Sequence, residues 1–156
     1  MDRHAAEVER LLALDRAPKG KTLSAPVLFP NSRAGEAALA GLWLHWGEWE
    51  KAHEVAQEIE GAEGSYWHAI LHRREPDAGN ASYWFRRVGQ HAIFPALRDA
   101  AAELGWGPSA EWDPFAFLNL YEHARQRGDR PEREMVAAIE RAEWDLLFAY
   151  CVEPGS

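Results

Sequence analysis

Cysteine, methionine and lysine are scarce in this chain: one, two and three residues of its 156. The single Cys151 cannot close an internal disulfide, so the fold has to stand on packing. It follows Ala149 and Tyr150 and reads as a packed or idle thiol. No apolar run approaches the ~20 residues that cross a bilayer. The N-terminal Met-Asp-Arg-His-Ala-Ala-Glu lacks the apolar core of a signal peptide, so the cytoplasm is the expected compartment, without a membrane partner. Positive charge is short as well. Seventeen Lys and Arg stand against 25 Asp and Glu, for a formal net charge of -8. A nucleic-acid binder displays a basic face, so nucleic acid is not an expected partner. A phosphate-cradling glycine loop, a nucleophile elbow and a Cys-His pair are missing too. So is any run of period two, which leaves no candidate strand.

What is there reads as helix. The length fits one domain over residues 1–156. Ala5, Val8, Leu11 and Leu12 recur at helical spacing within Asp2 to Asp15. Pro18, Gly20, Pro26 and Pro30 then mark an extended connection over residues 17–35, with Val27-Leu28-Phe29 as an apolar strap. Ala37 to Leu44 is apolar nearly all round, which predicts a buried helix. Gly47 breaks it, and a second helix runs from about Glu48 to Glu60, ended by Gly61 and Gly64. Ser65 is placed to cap a helix over Tyr66 to Glu75, stopped by Pro76. Further helices are expected over Asn80 to Val88, Ala96 to Leu104 and Asp113 to Arg127. Pro131 opens a last helix with the stripe Met135, Ala138, Ile139, Ala142, Leu146 and Ala149. The chain is therefore expected to be all-α, seven or eight helices packed as antiparallel hairpins.

Polar chemistry and aromatic bulk concentrate between Tyr66 and Pro95, which holds three of the seven histidines. At about 100° per residue, His68, His72 and Glu75 share one helix face beside the apolar Trp67, Ile70 and Leu71. Asn80, Tyr83 and Arg87 share a polar face of the next helix. A tight turn allows the two faces to meet, with Asp77 in the turn, His91 returning beyond Gly89, and His53 able to join from the preceding hairpin; whether they form one cleft stays open from sequence. Arg73, Arg74, Arg86 and Arg87 also fall close in sequence, as a basic spot for an anion or as solvated arginines paired with nearby glutamates. Of the eight tryptophans, Trp43, Trp67, Trp84 and Trp144 sit beside apolar stripes and are expected in the core. Trp46, Trp49, Trp106 and Trp112 lie near helix ends and are the candidates for exposure.

Two resemblances attach to these residues. Trp46-Gly47-Glu48 before Ala52, and Pro76-Asp77 before Ala81, put a small residue where two helices cross. Over roughly Ala37 to Val88 this is similar in packing style to tetratricopeptide and Sel1-like hairpins. The stretch His68-Ala-Ile-Leu-His72-Arg-Arg-Glu75-Pro-Asp77, followed by Tyr83-Trp84-Phe85-Arg86-Arg87-Val-Gly89-Gln-His91, resembles the signature of a family of small uncharacterised bacterial proteins. Ala40 to Leu44, Ala52-His53-Glu54 and Arg141 to Trp144 are similar to the same family. Ala92 departs from it, where proline is expected. The resemblance implies no activity, cofactor or catalytic residue.

Three readings of His53, His68, His72, Glu75, Asp77, Asn80, Tyr83, Arg87 and His91 stay open from sequence. One is a pocket for a small polar or anionic ligand, with arginines and histidines as donors and a tryptophan wall. A small hydrolase- or lyase-like enzyme using His72 with Glu75 or Asp77 is a variant of it. Another is a divalent metal held by His68 and His72 with Glu75 adding an oxygen, although the sequence alone assigns no ligand set. The third is structural, the same groups satisfying one another at the core edge. An oligomerisation module is a separate class and requires the last helix to leave an apolar stripe uncovered.

Overall fold

The computed structural model describes residues 3–155, so the expected helix start at Asp2 lies outside the described residues. Nine helices form among them: α1 (Arg3–Leu12), α2 (Ala25–Leu28), α3 (Gly35–His45), α4 (Trp49–Gln57), α5 (Ala62–Arg74), α6 (Ala78–Val88), α7 (Phe94–Glu103), α8 (Pro114–Arg127) and α9 (Arg130–Val152). The only β-type pairing among the described residues is one isolated antiparallel bridge, Ser32 to Pro154. The all-α hairpin expectation therefore holds.

The helix not expected is α2. Ser24 stands before Ala25-Pro26, and proline in a first helical turn is pre-organised for it. The segment over 17–35 is thus not extended throughout. Leu28 and Phe29 are buried as a strap should be, while Val27 is 63% exposed.

Two helices are surrounded. In α3 every residue from Ala37 to Leu44 is buried, and in α5 every residue from Gly64 to Arg73. α3 pairs with α4 and α5 with α6, each across a short turn, and α4 also lies against α5. Ala52 and Ala81 are buried to 1% and 0%, where their small side chains let the backbones approach. Gly41 does the same for α3 and α5. A Cβ there would stand 2.5 Å from the Trp67 ring. The Gly41 carbonyl also accepts from Trp144 Nε1 at 2.9 Å, which ties α9 to the same spot.

The start of α5 differs from expectation. Gly61, at φ 107, turns the chain early, and the helix begins at Ala62 rather than after Ser65. Ser65 and Gly64 are buried inside the helix, and Ile59 packs directly over Gly64. Gly64 therefore belongs to close packing, not to a helix end.

The buried face of α9 is Val136, Ile139, Glu143, Trp144, Leu147, Phe148 and Cys151. The expected stripe shares only Ile139 with it, and Ala149 is exposed. The cause is Glu143, a charged residue on the inward face. α9 lays this face against α3 and α7 and also contacts α8, all within the chain. At its end the backbone N–H of Arg33 donates to Glu153 O at 2.6 Å and that of Ala34 to Cys151 O at 2.9 Å. Gly155 N–H returns a bond to Asn31 O at 2.8 Å. The Arg33 guanidinium reaches Glu153 Oε2 at 2.7 Å and lies 4.1 Å from the Tyr150 ring centre. The long connection is stitched to the last turn in this way.

Trp112 corrects another expectation. It is 6% exposed, packed with Trp106 and Phe117 at ring separations of 5.7 and 5.2 Å. Trp84, expected in the core, is half-buried.

Candidate functional site

The α5–α6 hairpin and α4 together carry the candidate site. His68 and His72 are one turn apart on α5, and α4 brings His53 against them. The three rings touch: centre separations are 4.6 Å for His53–His68, 5.7 Å for His53–His72 and 4.9 Å for His68–His72. One ring nitrogen from each lies within 4.8 Å of the other two. His68 and His72 are buried and His53 half-buried. Trp84, from α6, stacks on His68 with centres 3.9 Å apart and planes 12° off parallel.

His72 Nδ1 lies 3.0 Å from Glu75 Oε2. An ionised carboxylate can only accept, so a proton sits on Nδ1, and in the neutral ring the lone pair is on Nε2. His68 is held differently. Its Nδ1 is buried and has no hydrogen-bond partner. Burial, and then the neighbouring His53 and His72, push this imidazole down to about 4, so it is neutral at pH 7.

The other expected site residues separate from this cluster in graded fashion. An Asp77 oxygen comes near His72 and Glu75, within the same 4.8 Å span, but Asp77 also caps α6 by accepting from Asn80 N–H at 3.2 Å. Asn80 takes part through its backbone, and its side chain stands on the exposed start of α6. Tyr83 is 46% exposed, edge-on to Trp84, and the exposed Arg87 runs along both rings, 5.8 and 5.4 Å from their centres. They form a rim to Trp84. His91 is engaged elsewhere. Its Nε2 donates to Glu63 at 2.9 Å, its Nδ1 accepts from Ile93 N–H at 3.2 Å, and its ring meets Tyr66 and Tyr150. The converging polar faces thus reduce to His53, His68, His72 and Glu75, with Asp77 at the edge.

The arginines do not form one basic spot, and Arg73 is not solvated. Its side chain is wholly buried and donates to Glu143 at 2.5 Å and Glu140 at 2.9 Å. Arg74 joins Glu140 at 3.2 Å and donates to the Leu44 carbonyl. Tyr66 donates to Glu143 at 2.8 Å, and the Phe117 and Tyr121 rings lie 4.9 and 5.1 Å from the Arg73 guanidinium. Burial alone would raise the Glu140 carboxyl, but Arg73 and Arg74 outweigh it and hold it below its ordinary value. Burial raises the Tyr66 hydroxyl well above its own, and the Glu143 charge adds to this. This network joins α5 to α9 and is structural. Its trace in the sequence is Glu143, four residues after Ile139 and four before Leu147 on an otherwise apolar face.

Two surface clefts, of about 700 and 690 Å³, are not lined by His53, His68 or His72. One runs between α1 and residues 21–28, the other beside Phe85, Gly89 and residues 109–115. No helix among the described residues is long and apolar enough to cross a membrane. No protein-family model matches the chain, and neither does any curated protein or any solved structure.

Proposed function

We propose that this chain is a helical binding domain whose ligand site is the histidine cluster on α5, walled by α4 and Trp84, and that its ligand is small, polar and held by imidazole nitrogen. One observation carries the reading. His45, His91 and His123 each have a definite hydrogen bond, to Leu12 O, Glu63 and Glu132. His68 is packed among two other imidazoles with its Nδ1 buried and unpaired. A buried unsatisfied polar atom costs about 1–3 kcal/mol. Side chains that lower stability without forming their own bonds are the pattern of sites that wait for a partner.

The Glu75–His72 pair is also the arrangement of a general base. Burial of His72 and the stacking of Trp84 on His68 favour retention of a ligand over turnover of a substrate. Arg87 and Tyr83, at the rim, support recognition of whatever approaches Trp84 rather than of the group in the cluster. A cytoplasmic setting fits the single thiol of Cys151, which is fully buried.

The experiment is His68→Phe, which keeps an aromatic ring on Trp84 and removes the unpaired nitrogen. In chelator, the melting temperature of this variant is expected to rise by about 2–4 °C for each kcal/mol regained in a chain of this size. A fall like that of a core truncation would assign the histidines to structure and end the proposal.

A further inference from the structure

We infer that the ligand of this cluster is a divalent transition-metal ion, bound by His53, His68 and His72 through three nitrogens. The inference rests on the binding-site reading above and names its ligand. The geometry is close to what such an ion needs. Metal–imidazole bonds of 2.0–2.1 Å in a tetrahedral site put ligating nitrogens roughly 3.3 Å apart. Here one nitrogen from each ring already lies within 4.8 Å of the others. Binding would draw these nitrogens from that span to about 3.3 Å. Two ligands one turn apart on a buried helix, with a third from the helix beside it, form a rigid platform.

The orientation of the rings points the same way. Glu75 holds the proton on His72 Nδ1 and turns the Nε2 lone pair free, the usual carboxylate support behind a metal-bound histidine. Trp84 fixes the plane of His68 by stacking rather than by hydrogen bonding, so both nitrogens of that ring stay uncommitted by side chains around it. A metal ion bound through His68 Nδ1 would give that buried atom its missing partner.

The donor set also selects among ions. Three imidazole ligands with no thiolate suit Zn²⁺, Co²⁺, Ni²⁺ or Cu²⁺. Ca²⁺ and Mg²⁺ want oxygen, and the softest ions want sulfur. Three protein ligands leave a fourth position, which water would fill. Glu75 acts here as a positioning residue, since its carboxylate is bonded to His72.

The test uses the full chain, made without a histidine tag and stripped with chelator. Zn²⁺ is titrated in by calorimetry and Co²⁺ by visible absorption, with circular dichroism as the folding control. One ion per chain is expected, with the intense visible bands of a four-coordinate Co²⁺ site. His53→Ala, at a half-buried position on α4, should weaken Zn²⁺ binding at least 100-fold while the helices remain. Glu75→Gln should weaken it about 10-fold. It should also retain the Co²⁺ spectrum, which a structural role alone would not predict. Folded wild-type protein that binds no stoichiometric Zn²⁺, Co²⁺, Ni²⁺ or Cu²⁺ would overturn the inference. So would binding that His53→Ala leaves unchanged. A stabilised His68→Phe with no metal binding by the wild type sinks the metal alone. A destabilised His68→Phe sinks the binding-site reading beneath it.

Discussion

Arg73 on α5 and Glu143 on α9 meet at 2.5 Å with both side chains wholly out of solvent. Removing one partner of a buried pair strands the other charge and costs about 3–5 kcal/mol. Glu143→Ala should therefore lower the unfolding free energy by that order, read by denaturant titration. Replacing both as Arg73→Met with Glu143→Leu should cost less than the sum of the single changes. Additive losses would mean that the two residues are not coupled.

Gly41→Ala tests the close approach of α3 and α5. The added methyl meets the Trp67 ring, which belongs to a packed layer with Trp144 and cannot retreat freely. Overpacking of this kind costs about 1–3 kcal/mol. The near-ultraviolet circular dichroism of the tryptophans should change together with stability. An unchanged spectrum at unchanged stability would show that the contact is slack.

The pH dependence of the chelated protein follows from His68. Its folded value is about 4, against an ordinary 6.5 in the unfolded chain. Between these values the unfolded state takes up a proton that the folded state refuses. Stability is therefore constant with respect to His68 above about pH 7 and falls as pH drops from 6.5 toward 4. Melting temperatures measured across this window should drop more steeply for wild type than for His68→Phe. Parallel curves would exclude His68 as the source.

Asp77 and Asn80, neighbours in the sequence motif, should respond differently. Asp77→Ala removes the cap of α6 and should cost about 1 kcal/mol, whereas Asp77→Asn keeps an acceptor and should be nearly silent. Asn80→Ala should also be nearly silent, because Asn80 meets Asp77 through its backbone. A loss from Asn80→Ala equal to that from Asp77→Ala would show that its side chain has a role of its own.

Local spacing made part of this site readable. His68, His72 and Glu75 fall at i, i+4 and i+7, so their shared face follows from helical geometry, and His53 is one hairpin away. Ala37 to Leu44 announced a buried helix by being apolar on all sides. What stayed hidden depends on distant partners. His91 looked like a member of the cluster until Glu63, 28 residues earlier, took its Nε2. Arg73 looked solvated because its two glutamates lie about 70 residues on. Trp112 is the local exception: Trp106 and Phe117 are only six and five residues away, but the loop between α7 and α8 has no periodicity from which their packing could be read.

The stitch between residues 31–34 and the end of α9 sets an order of events during synthesis. Until α9 leaves the ribosome, Arg33 and Ala34 have no strand of backbone to bond, Trp144 does not reach Gly41, and Arg73 faces no carboxylate on α9. The helical hairpins from α3 to α6 can form as they emerge, but they wait with an unpaired guanidinium and an uncovered α3. Completion of this fold therefore waits for α9, whose backbone, indole and carboxylate supply the missing partners.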